Sequence, residues 1–360
     1  MFSPRSAAAA TAATAILALS ACSSPSESTA PSESTSDPSE SSAPSAEPVS
    51  DGAFTLYSGR SEDLIAPLIE DFAATTGIDV EVRYAGSTGL AALLLEEGSA
   101  TPADVFLSQD AGALGAVSKT SAFAPLPADI TDSVAAGFTS ADGSWVGVTG
   151  RARVIVYDAE QVSADDVPTS VHELTDPKWK GQVGIAPTNA SFQSFVTAMR
   201  VLEGEDAARE WLEGMVANDV QIYAKNTPIR DAANTGEIQL GLINHYYWYQ
   251  LSNEVGLENM RAQLSFPTAG DPGSIVNVTG AGLLAGAASD GDALAFIEYL
   301  MSTDGQRYFV ENTYEYPLVG GVDAPAGLPP LADLTNAELD LGDLDSLEET
   351  TALLSDVGLL

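Results

Sequence analysis

The sequence contains little positive charge, one cysteine and few histidines. Its 360 residues include 14 Lys and Arg against 51 Asp and Glu, a net charge of −37 at neutral pH. A chain this acidic repels nucleic acid and anionic lipid, so no nucleic-acid partner is expected. The single cysteine, Cys22, excludes a disulfide within the chain and a cysteine metal cluster. With only His172 and His245, a histidine-based metalloenzyme is not expected.

The sequence also lacks the short motifs of common enzyme classes. It has no Walker A sequence for nucleotide phosphates and no Gly-x-Ser-x-Gly turn that would present a nucleophilic serine. The segment Gly280-Ala-Gly-Leu-Leu-Ala285 loosely resembles a dinucleotide fingerprint, but no helix is predicted to begin on it. Because no nucleophile and base can be recognised together, we do not expect an enzyme.

The N-terminal segment is predicted to lie outside the folded domain. A weakly basic start and an apolar run too short to span a membrane precede Leu19-Ser-Ala-Cys22, which resembles a lipobox. Residues 1–22 are therefore predicted to be a lipoprotein signal peptide with lipidation at Cys22; a secretory signal with an incidental thiol is the alternative. Residues 23–52, rich in Ser, Pro and Glu, are predicted to be a disordered tether, because they bury too little apolar area to offset the entropy of ordering.

The rest of the chain alternates strand-like and helix-like segments. The run Ala53–Tyr57 predicts a buried strand, and apolar residues then recur at helical spacing from Leu64 to Phe72 after Ser61, a good helix N-cap. The alternation continues, which predicts an α/β fold with helices on both faces of a parallel sheet. Ligands of such sheets bind beyond the carboxyl ends of the strands. Polar segments at predicted strand ends are 60–61, 108–110 and 244–247.

The C-terminal stretch from Asp323 to Leu360 contains no Lys or Arg and nine acidic residues. A free acidic tail is one interpretation of such a composition. The spacing of four leucines instead predicts a terminal helix that docks on the domain; they are Leu344, Leu347, Leu353 and Leu354.

The most informative stretch is Asn244-His-Tyr-Tyr-Trp-Tyr249, which follows an apolar run over residues 238–243. Adjacent residues of a helix point about 100° apart, so Tyr246 and Tyr247 can meet at one point only off the end of the element. A metal or an anion in a cleft is such a point. The alternative is that both are ordinary amphipathic aromatics, with the ring inside and the hydroxyl in water.

The block around Tyr246 and Tyr247 resembles the tyrosine pair of the ferric-ion-binding proteins, the iron-carrying subunits of bacterial ABC importers. Further blocks resemble the same family in the same order, so that the resemblance covers the chain from about residue 53 to its C-terminus. These blocks are Tyr57-Ser-Gly-Arg60, Pro102-Ala-Asp-Val-Phe106, Gly150-Arg-Ala-Arg-Val154, Pro177-Lys-Trp-Lys-Gly181, Ala224-Lys-Asn226 and Tyr314-Glu-Tyr-Pro317.

The resemblance implies the two-lobed type II fold of periplasmic binding proteins, with hinge strands and a central ligand cleft. A long strand through Gly150 would cross between the lobes, and a second crossing is expected near Pro272 to Leu284. Binding would proceed by closure of the hinge. The predicted boundaries are 53–150 plus 277–327 for lobe 1 and 151–276 plus 328–360 for lobe 2.

The resemblance also makes Tyr246 and Tyr247 the metal ligands, and phenolate oxygen suits the hard Fe(III) ion. The family completes the ligand shell with a histidine and a glutamate, but the matching positions hold Ser61 and Gln109. His245 is a further candidate for the shell, through a bond to a phenol, or simply caps a helix. An exogenous anion such as carbonate, phosphate or citrate is therefore expected to supply most of the remaining ligands.

An anion site is predicted beside the tyrosines. Ser61 begins a helix, where free N–H groups and the helix dipole favour negative charge, and Arg60 lies next to it. Arg151 and Arg153 lie near the predicted cleft, with pairing to acids as hinge structure as the alternative. The other anion contacts rest on the resemblance, which matches them to Asn189, Ala190, Ser191, Asn226 and Asn244.

The sequence thus predicts a monomeric, lipid-anchored solute-binding protein at the outer face of the cell membrane. It would capture ferric iron with an anion and deliver it to an ABC transporter permease driven by a cytoplasmic ATPase. One alternative keeps the importer class but makes the ligand an organic anion such as a phosphonate, which the absent histidine and glutamate favour and the intact tyrosine block opposes. The alternative from another class is an extracellular enzyme.

Overall fold

The computed structural model describes residues 49–135, 137–334 and 339–360. The predicted signal peptide, the lipidation site Cys22 and most of the predicted tether lie outside the described residues. The end of that tether is bonded to the domain. The backbone N–H of Val49 donates to the carbonyl oxygen of Ser289 (2.7 Å), and the Asp292 carboxylate accepts from the backbone N–H groups of Asp51 (2.9 Å) and Gly52 (2.7 Å).

Strands and helices alternate along the described residues, as predicted, and the mixed α/β class is confirmed. The strands are β1 Ala53–Ser58, β2 Asp79–Tyr84, β3 Val105–Ser108, β4 Trp145–Asp158, β5 Val183–Ile185, β6 Gln221–Ile222, β7 Leu240–Asn244, β8 Ala262–Ser265, β9 Val276–Leu283 and β10 Tyr316–Pro317. The α-helices are α1 Glu62–Thr76, α2 Ser87–Glu97, α3 Ala111–Ser118, α4 Ala128–Thr131, α5 Ala190–Glu203, α6 Glu205–Ala217, α7 Asn226–Thr235, α8 Tyr246–Val255, α9 Gly291–Met301, α10 Thr303–Thr313 and α11 Leu347–Asp356.

Helix α1 shows how the sequence defines an element. Its first turn carries Glu62 and Asp63, whose charges suit the positive end of the helix dipole. Its apolar face, including Leu68 and Phe72, is buried. The helix ends at Gly77, which adopts a left-handed φ of 77° that glycine tolerates without steric cost.

The long strand β4 connects the two halves of the sheet. Its first half pairs antiparallel with β9 and β10, and its second half pairs antiparallel with β7 and β8. The predicted parallel sheet is thus wrong at its centre, where β9 also pairs antiparallel with β3; among the described strands, β1 pairs in parallel with β2 and β3, and β5 with β6 and β7. The strand order is β2-β1-β3-β9-β4-β7-β5-β6. The predicted crossing through Gly150 is therefore confirmed, and the chain crosses back between β8 and β9, near Pro272 as predicted. These two crossings form the hinge of a two-lobed type II fold.

Each half of the sheet has its own aromatic core. In the half that holds β1, the rings of Phe72 and Phe296 lie 5.2 Å apart, edge to face. In the half that holds β5, the rings of Phe195 and Trp211 lie 5.3 Å apart in the same arrangement. Edge-to-face packing at such distances stabilises an apolar core beyond simple burial, so each lobe has a hydrophobic centre of its own.

The C-terminal segment contacts both halves, and the predicted docked helix is confirmed as α11. The short 3₁₀-helix Leu341–Asp345 lies so close to α3 that a Cβ atom on Gly112 would come within 2.4 Å of the Leu344 carbonyl oxygen. Helix α11 packs on α5, where the hydroxyls of Thr197 and Thr350 are 2.7 Å apart. The segment therefore contacts elements that the sequence analysis assigned to different lobes.

Candidate metal and anion site

The tyrosine pair lies where strand β7 gives way to helix α8. His245 is the residue between β7 and α8, and it already has helical backbone angles (φ −55°, ψ −40°). The ring centroids of Tyr246 and Tyr247 are 4.3 Å apart, with 31° between the ring planes. Both rings therefore lie side by side at the N-terminal end of the helix, which favours negative charge. This is the arrangement that a shared ligand off the end of the element requires.

The tyrosines lie in an electrostatic environment of buried arginines. Burial, and then the neighbouring phenol of Tyr247, raise the pKa of Tyr246 well above its usual value, while Arg151 opposes that rise. Burial lowers the pKa of Arg153 to about 9, and the two phenols act against that effect. The Tyr246 phenol is therefore protonated at neutral pH in the ligand-free protein, and a bound cation must displace its proton.

Arg60 forms a closed ion pair. Its Nη2 lies 2.8 Å from Oε1 of Glu315, and its Nη1 donates to the Thr279 hydroxyl (2.9 Å). The Thr149 hydroxyl donates to the other oxygen of Glu315. Burial opposes ionisation of Glu315, but Arg60 and then Arg151 hold the pKa of that carboxyl below its usual value. Arg60, predicted to bind an anion, thus uses both terminal nitrogens inside the protein.

Glu315 was not singled out by sequence reasoning, although the block that contains it was. Tyr314 adopts a left-handed φ of 58°, an uncommon conformation for a residue other than glycine. The turn at Tyr314 precedes the buried Glu315 and places the Tyr314 carbonyl against His245. The weak sequence signal was one acid between two tyrosines in a block of the family.

His245 is fully buried, and both its ring nitrogens are bonded to backbone. Nδ1 accepts from the N–H of Ala152 (3.1 Å), and Nε2 donates to the carbonyl oxygen of Tyr314 (2.8 Å). Burial lowers its pKa to about 4, so the ring is neutral. Neither bond reaches a phenol. His245 is at the N-cap position of α8 without a capping side-chain bond to described residues, and its bond to Tyr314 is to the C-cap residue of α10. In this arrangement the ring ties α8 to β4 and to the Tyr314 turn, and it has no nitrogen left for a metal.

Arg153 is a buried cation with neutral partners only. It is 2% exposed, and its Nη1 donates to oxygens of Ser191 (3.1 Å), Asn244 (3.3 Å) and Asn226 (3.4 Å). Its Nη2 donates to the carbonyl oxygen of Leu242 (3.1 Å). Within the described parts of the chain it has no acidic partner, and its Nε has no hydrogen-bond partner. An unpaired buried charge is costly unless a counter-ion arrives.

The predicted anion residues gather around Arg153. Oδ1 of Asn189 accepts from the backbone N–H (3.0 Å) and the hydroxyl (2.6 Å) of Ser191 and from Nδ2 of Asn226 (3.2 Å). Ala190 begins α5 at the same turn. The structure therefore brings Asn189, Ser191 and Asn226 into one polar network, and Asn244 joins it through Arg153.

The two positions that differ from the family's ligands carry no charge in the structure. Ser61 is exposed at the N-cap position of α1, and it forms no capping side-chain hydrogen bond to described residues. Gln109 is half-buried, and its backbone N–H donates to the Ser87 hydroxyl (2.8 Å). Among the described residues no group of three or more His, Cys, Asp and Glu could hold a metal.

A cavity of about 190 Å³ lies next to this network. Arg151 and Arg153 of strand β4 line the cavity. Tyr246, Tyr247 and Arg60 are not among its described lining residues. Asn277, which the sequence analysis did not consider, also belongs to the lining. The polar and charged residues of the lining are Ser87, Thr88, Gln109, Asp110, Arg151, Arg153, Ser191, Ser194, Asn244 and Asn277.

Residues 100–338 match the sequence profile of the bacterial extracellular solute-binding proteins. The chain belongs to this family. Members of this family are extracellular proteins that bind solutes. No helix among the described residues is long and apolar enough to cross a membrane.

Several proteins similar to this chain are named for a ligand or were solved with one. The "Major ferric iron-binding protein" of Neisseria meningitidis is 36% identical over 307 residues, 85% of this chain and 92% of that protein. Iron-bound HitA from Pseudomonas aeruginosa is 33% identical, with a TM-score of 0.78 over 85% of this chain and 99% of that one. A Trichodesmium protein solved with iron and citrate is 28% identical, with a TM-score of 0.75 over 86% of this chain and 100% of that one.

Proposed function

We propose that this solute-binding protein captures ferric iron together with an exogenous anion and delivers it to a membrane permease. Tyr246 and Tyr247 would bind the metal as phenolates, and Arg153 with its polar network would bind the anion. The observation that carries the proposal is the paired phenols at the start of α8 beside a buried arginine whose hydrogen bonds to described residues all go to neutral oxygens. The names of the relatives support iron as the cargo.

The chemistry of the two phenols fits a hard trivalent cation. Fe(III) prefers anionic oxygen, and a bound cation promotes deprotonation of its ligands. The α8 N-terminus and the neighbouring arginines favour the phenolate form once the proton has left. Iron binding should therefore release protons, and iron affinity should fall in acid.

The anion completes what the protein does not supply. Ser61 and Gln109 offer no anionic donor, so the two phenolates leave most coordination positions to exogenous groups. Carbonate, phosphate and citrate carry suitable oxygens. An anion at Arg153 would also neutralise that buried charge, so that metal and anion binding stabilise each other.

The remaining parts of the proposal concern delivery. The protein would pass its cargo to a permease driven by an ATPase, and it would be a monomer anchored by a lipid on Cys22. Its lobes would have their boundaries at residues 150, 276 and 327. Closure of the two lobes about β4 and β9 would enclose the metal, and reopening at the permease would release it.

A visible absorption titration of the full chain with ferric citrate tests the metal site. We expect a tyrosinate-to-iron charge-transfer band, which the double variant Tyr246→Phe/Tyr247→Phe lacks because no phenolate remains. Tyr223→Phe is the matched control, since this phenol bonds to Glu237 away from the site (3.1 Å), and it should retain the band. A protein that stays colourless under excess ferric citrate would contradict the proposal.

A second candidate is an importer protein for an organic anion such as a phosphonate. The observation that favours it is the absence of an anionic side chain at positions 61 and 109, where the family has metal ligands. It predicts tight binding of the anion without any iron colour. The same titration therefore separates the two functions.

A further inference from the structure

The C-terminal segment is fastened to both halves of the sheet within a few residues. Its 3₁₀-helix, Leu341–Asp345, lies against α3, and α11 lies against α5. Helix α3 follows β3 in the half of the sheet that holds β1, and α5 follows β5 in the other half. We call residues 341–356 the strap. It is a covalent connection between the halves in addition to the crossings through β4 and β9.

The strap contacts α3 through backbone. Gly112 and Gly115 lie one turn apart in α3, on the side that faces the strap. A Cβ atom at Gly115 would come within 2.3 Å of the carbonyl oxygen of Gly342, and one at Gly112 within 2.4 Å of that of Leu344. Real Cβ atoms do not approach an oxygen so closely. The strap can therefore lie this close to α3 only because both helix positions lack a side chain.

The change from one half to the other takes place between two consecutive residues. Asp345 accepts from Nζ of Lys119, just after α3 (2.8 Å). The next residue, Ser346, accepts from Nη1 of Arg200 on α5 at its carbonyl oxygen (2.9 Å) and its hydroxyl (3.1 Å). The same nitrogen donates to the Thr350 hydroxyl of α11 (2.9 Å). Consecutive Cα atoms are only about 3.8 Å apart, so the strap has no slack at this point.

The two helices that the strap joins are also fixed to the hinge strands. The backbone N–H of Ala111, the first residue of α3, donates to Oδ1 of Asn277 on β9 (3.0 Å). Nη1 of Arg153 on β4 donates to the Ser191 hydroxyl in the first turn of α5 (3.1 Å). Because β4 and β9 pair with each other, the strands, the helices and the strap form a closed ring.

Such a ring restrains the hinge more than its strands alone can. Paired strands lie about 4.8 Å apart, so two of them permit both bending and twisting of the lobes. A link that is displaced from the strands by a layer of helices opposes both motions. To move the lobes far apart, the strap must leave α3 or α5.

We propose that the strap limits the opening and twisting of the two lobes in the ligand-free protein. Both helices begin at the cavity, where Asp110 and Ala190 belong to the lining, so the strap also limits the width of the ligand site. The apparent affinity of a ligand rises with the fraction of protein in the competent arrangement. The strap would thus favour binding of any cargo, and the inference does not depend on which ligand the protein carries.

The test is the distance between the lobes in ligand-free full chain, measured by pulsed electron spin resonance. Spin labels are placed at Glu70→Cys on α1 and Glu213→Cys on α6, both exposed positions. Cys22→Ser removes the only native thiol. A rotation of about 15°, as between the subunit pairs of haemoglobin, moves a point about 20 Å from the hinge by about 5 Å, which this method resolves.

Gly115→Leu detaches the strap from α3, since leucine suits a helix but its Cβ meets the Gly342 carbonyl. The distance distribution should broaden and its mean should rise by about 5 Å or more. Gly89→Leu in α2 is the matched control, because a Cβ atom there would meet nothing within 4 Å among the described residues beyond its own helix backbone. If Gly115→Leu does not fold, Gly115→Ala introduces the same Cβ contact with a single carbon.

Arg200→Gln detaches the strap from α5 and should give the same broadening. Glu205→Gln is the matched control, since it removes the ion pair of Arg200 (2.5 Å) but leaves its bonds to the strap, and it should resemble the wild type. The double variant Gly115→Leu/Arg200→Gln should open no further than either single variant, because one broken end already frees the link. An unchanged distribution, a response to only one of the two variants, or a double variant that adds their effects would overturn the inference.

Discussion

The side chains of Arg60 and Arg153 are buried to nearly the same extent, with 3% and 2% exposed. They differ in their partners, since Arg60 contacts a charged side chain and Arg153 donates to neutral groups. Arg60 forms an ion pair with Glu315 at 2.8 Å, and that carboxylate is itself 1% exposed. Arg153 donates to amide, hydroxyl and carbonyl oxygens, all of them neutral. The first charge is neutralised by the fold. The second has no counter-ion among the described residues, and under the proposed function a bound anion would neutralise it.

Under the proposed function, this difference separates a charge that serves the fold, at Arg60, from one that serves binding, at Arg153. A buried ion pair whose partners are both present is close to neutral in stability, but removing one partner leaves an unpaired charge. A buried arginine without a counter-ion already carries that cost in the ligand-free protein. Such a cost at a binding site is recovered when the anion binds, which couples stability to ligand binding.

The comparison predicts its largest effect at Glu315. Glu315→Gln retains the shape of the side chain but leaves Arg60 buried without a counter-ion, so the free energy of unfolding should fall by about 3 kcal/mol. The measurement is denaturant unfolding of the ligand-free protein at neutral pH. Glu97→Gln is the matched control, because the Arg83–Glu97 pair is partly exposed and 3.8 Å apart, and it should cost less than about 1 kcal/mol. Equal effects of the two variants would contradict the interpretation of Arg60.

The same pair predicts a pH dependence. Arg60 and Arg151 hold the pKa of Glu315 below its usual value despite burial. A carboxyl with a depressed pKa in the folded state contributes stability above its unfolded pKa of about 4.3, and that stability is lost as the pH falls through the folded pKa. The difference in unfolding midpoint between the wild type and Glu315→Gln should therefore be largest near neutral pH and shrink in acid. A difference that stays constant from pH 7 to pH 3 would show that the carboxylate charge is not its cause.

The periodic parts of this molecule were predictable from sequence. Helix α1 shows buried residues at helical spacing after a predicted N-cap, and the apolar run before Asn244 is a buried strand. These elements follow from local patterns that tertiary contacts do not override. The grouping of Asn189, Ser191, Asn226 and Asn244 came from the resemblance to a family, and the structure brings these side chains together around Arg153.

The partners of the arginines were not predictable, because they depend on tertiary register. Glu315 reaches Arg60 across 255 residues of sequence, after a turn at Tyr314 that no local rule favours. Asn277 faces Arg151 only through the pairing of β4 with β9. The two bonds from the His245 ring to backbone were not predicted either, because Ala152 and Tyr314 are distant from His245 in sequence.

The smallest effect on stability is expected at Arg153, and it sharpens the comparison most. Arg153→Gln removes a buried charge that has no acidic partner in the described part of the chain, so the lost hydrogen bonds are offset by the relief of desolvation. The unfolding free energy of the ligand-free protein should change by less than about 1 kcal/mol. The stabilisation by added citrate should disappear, because the anion loses its cation. The measurement is thermal unfolding of wild type and variant with and without citrate. The roles assigned to the two arginines would be reversed if Arg153→Gln were as strongly destabilised as Glu315→Gln and still responded to citrate.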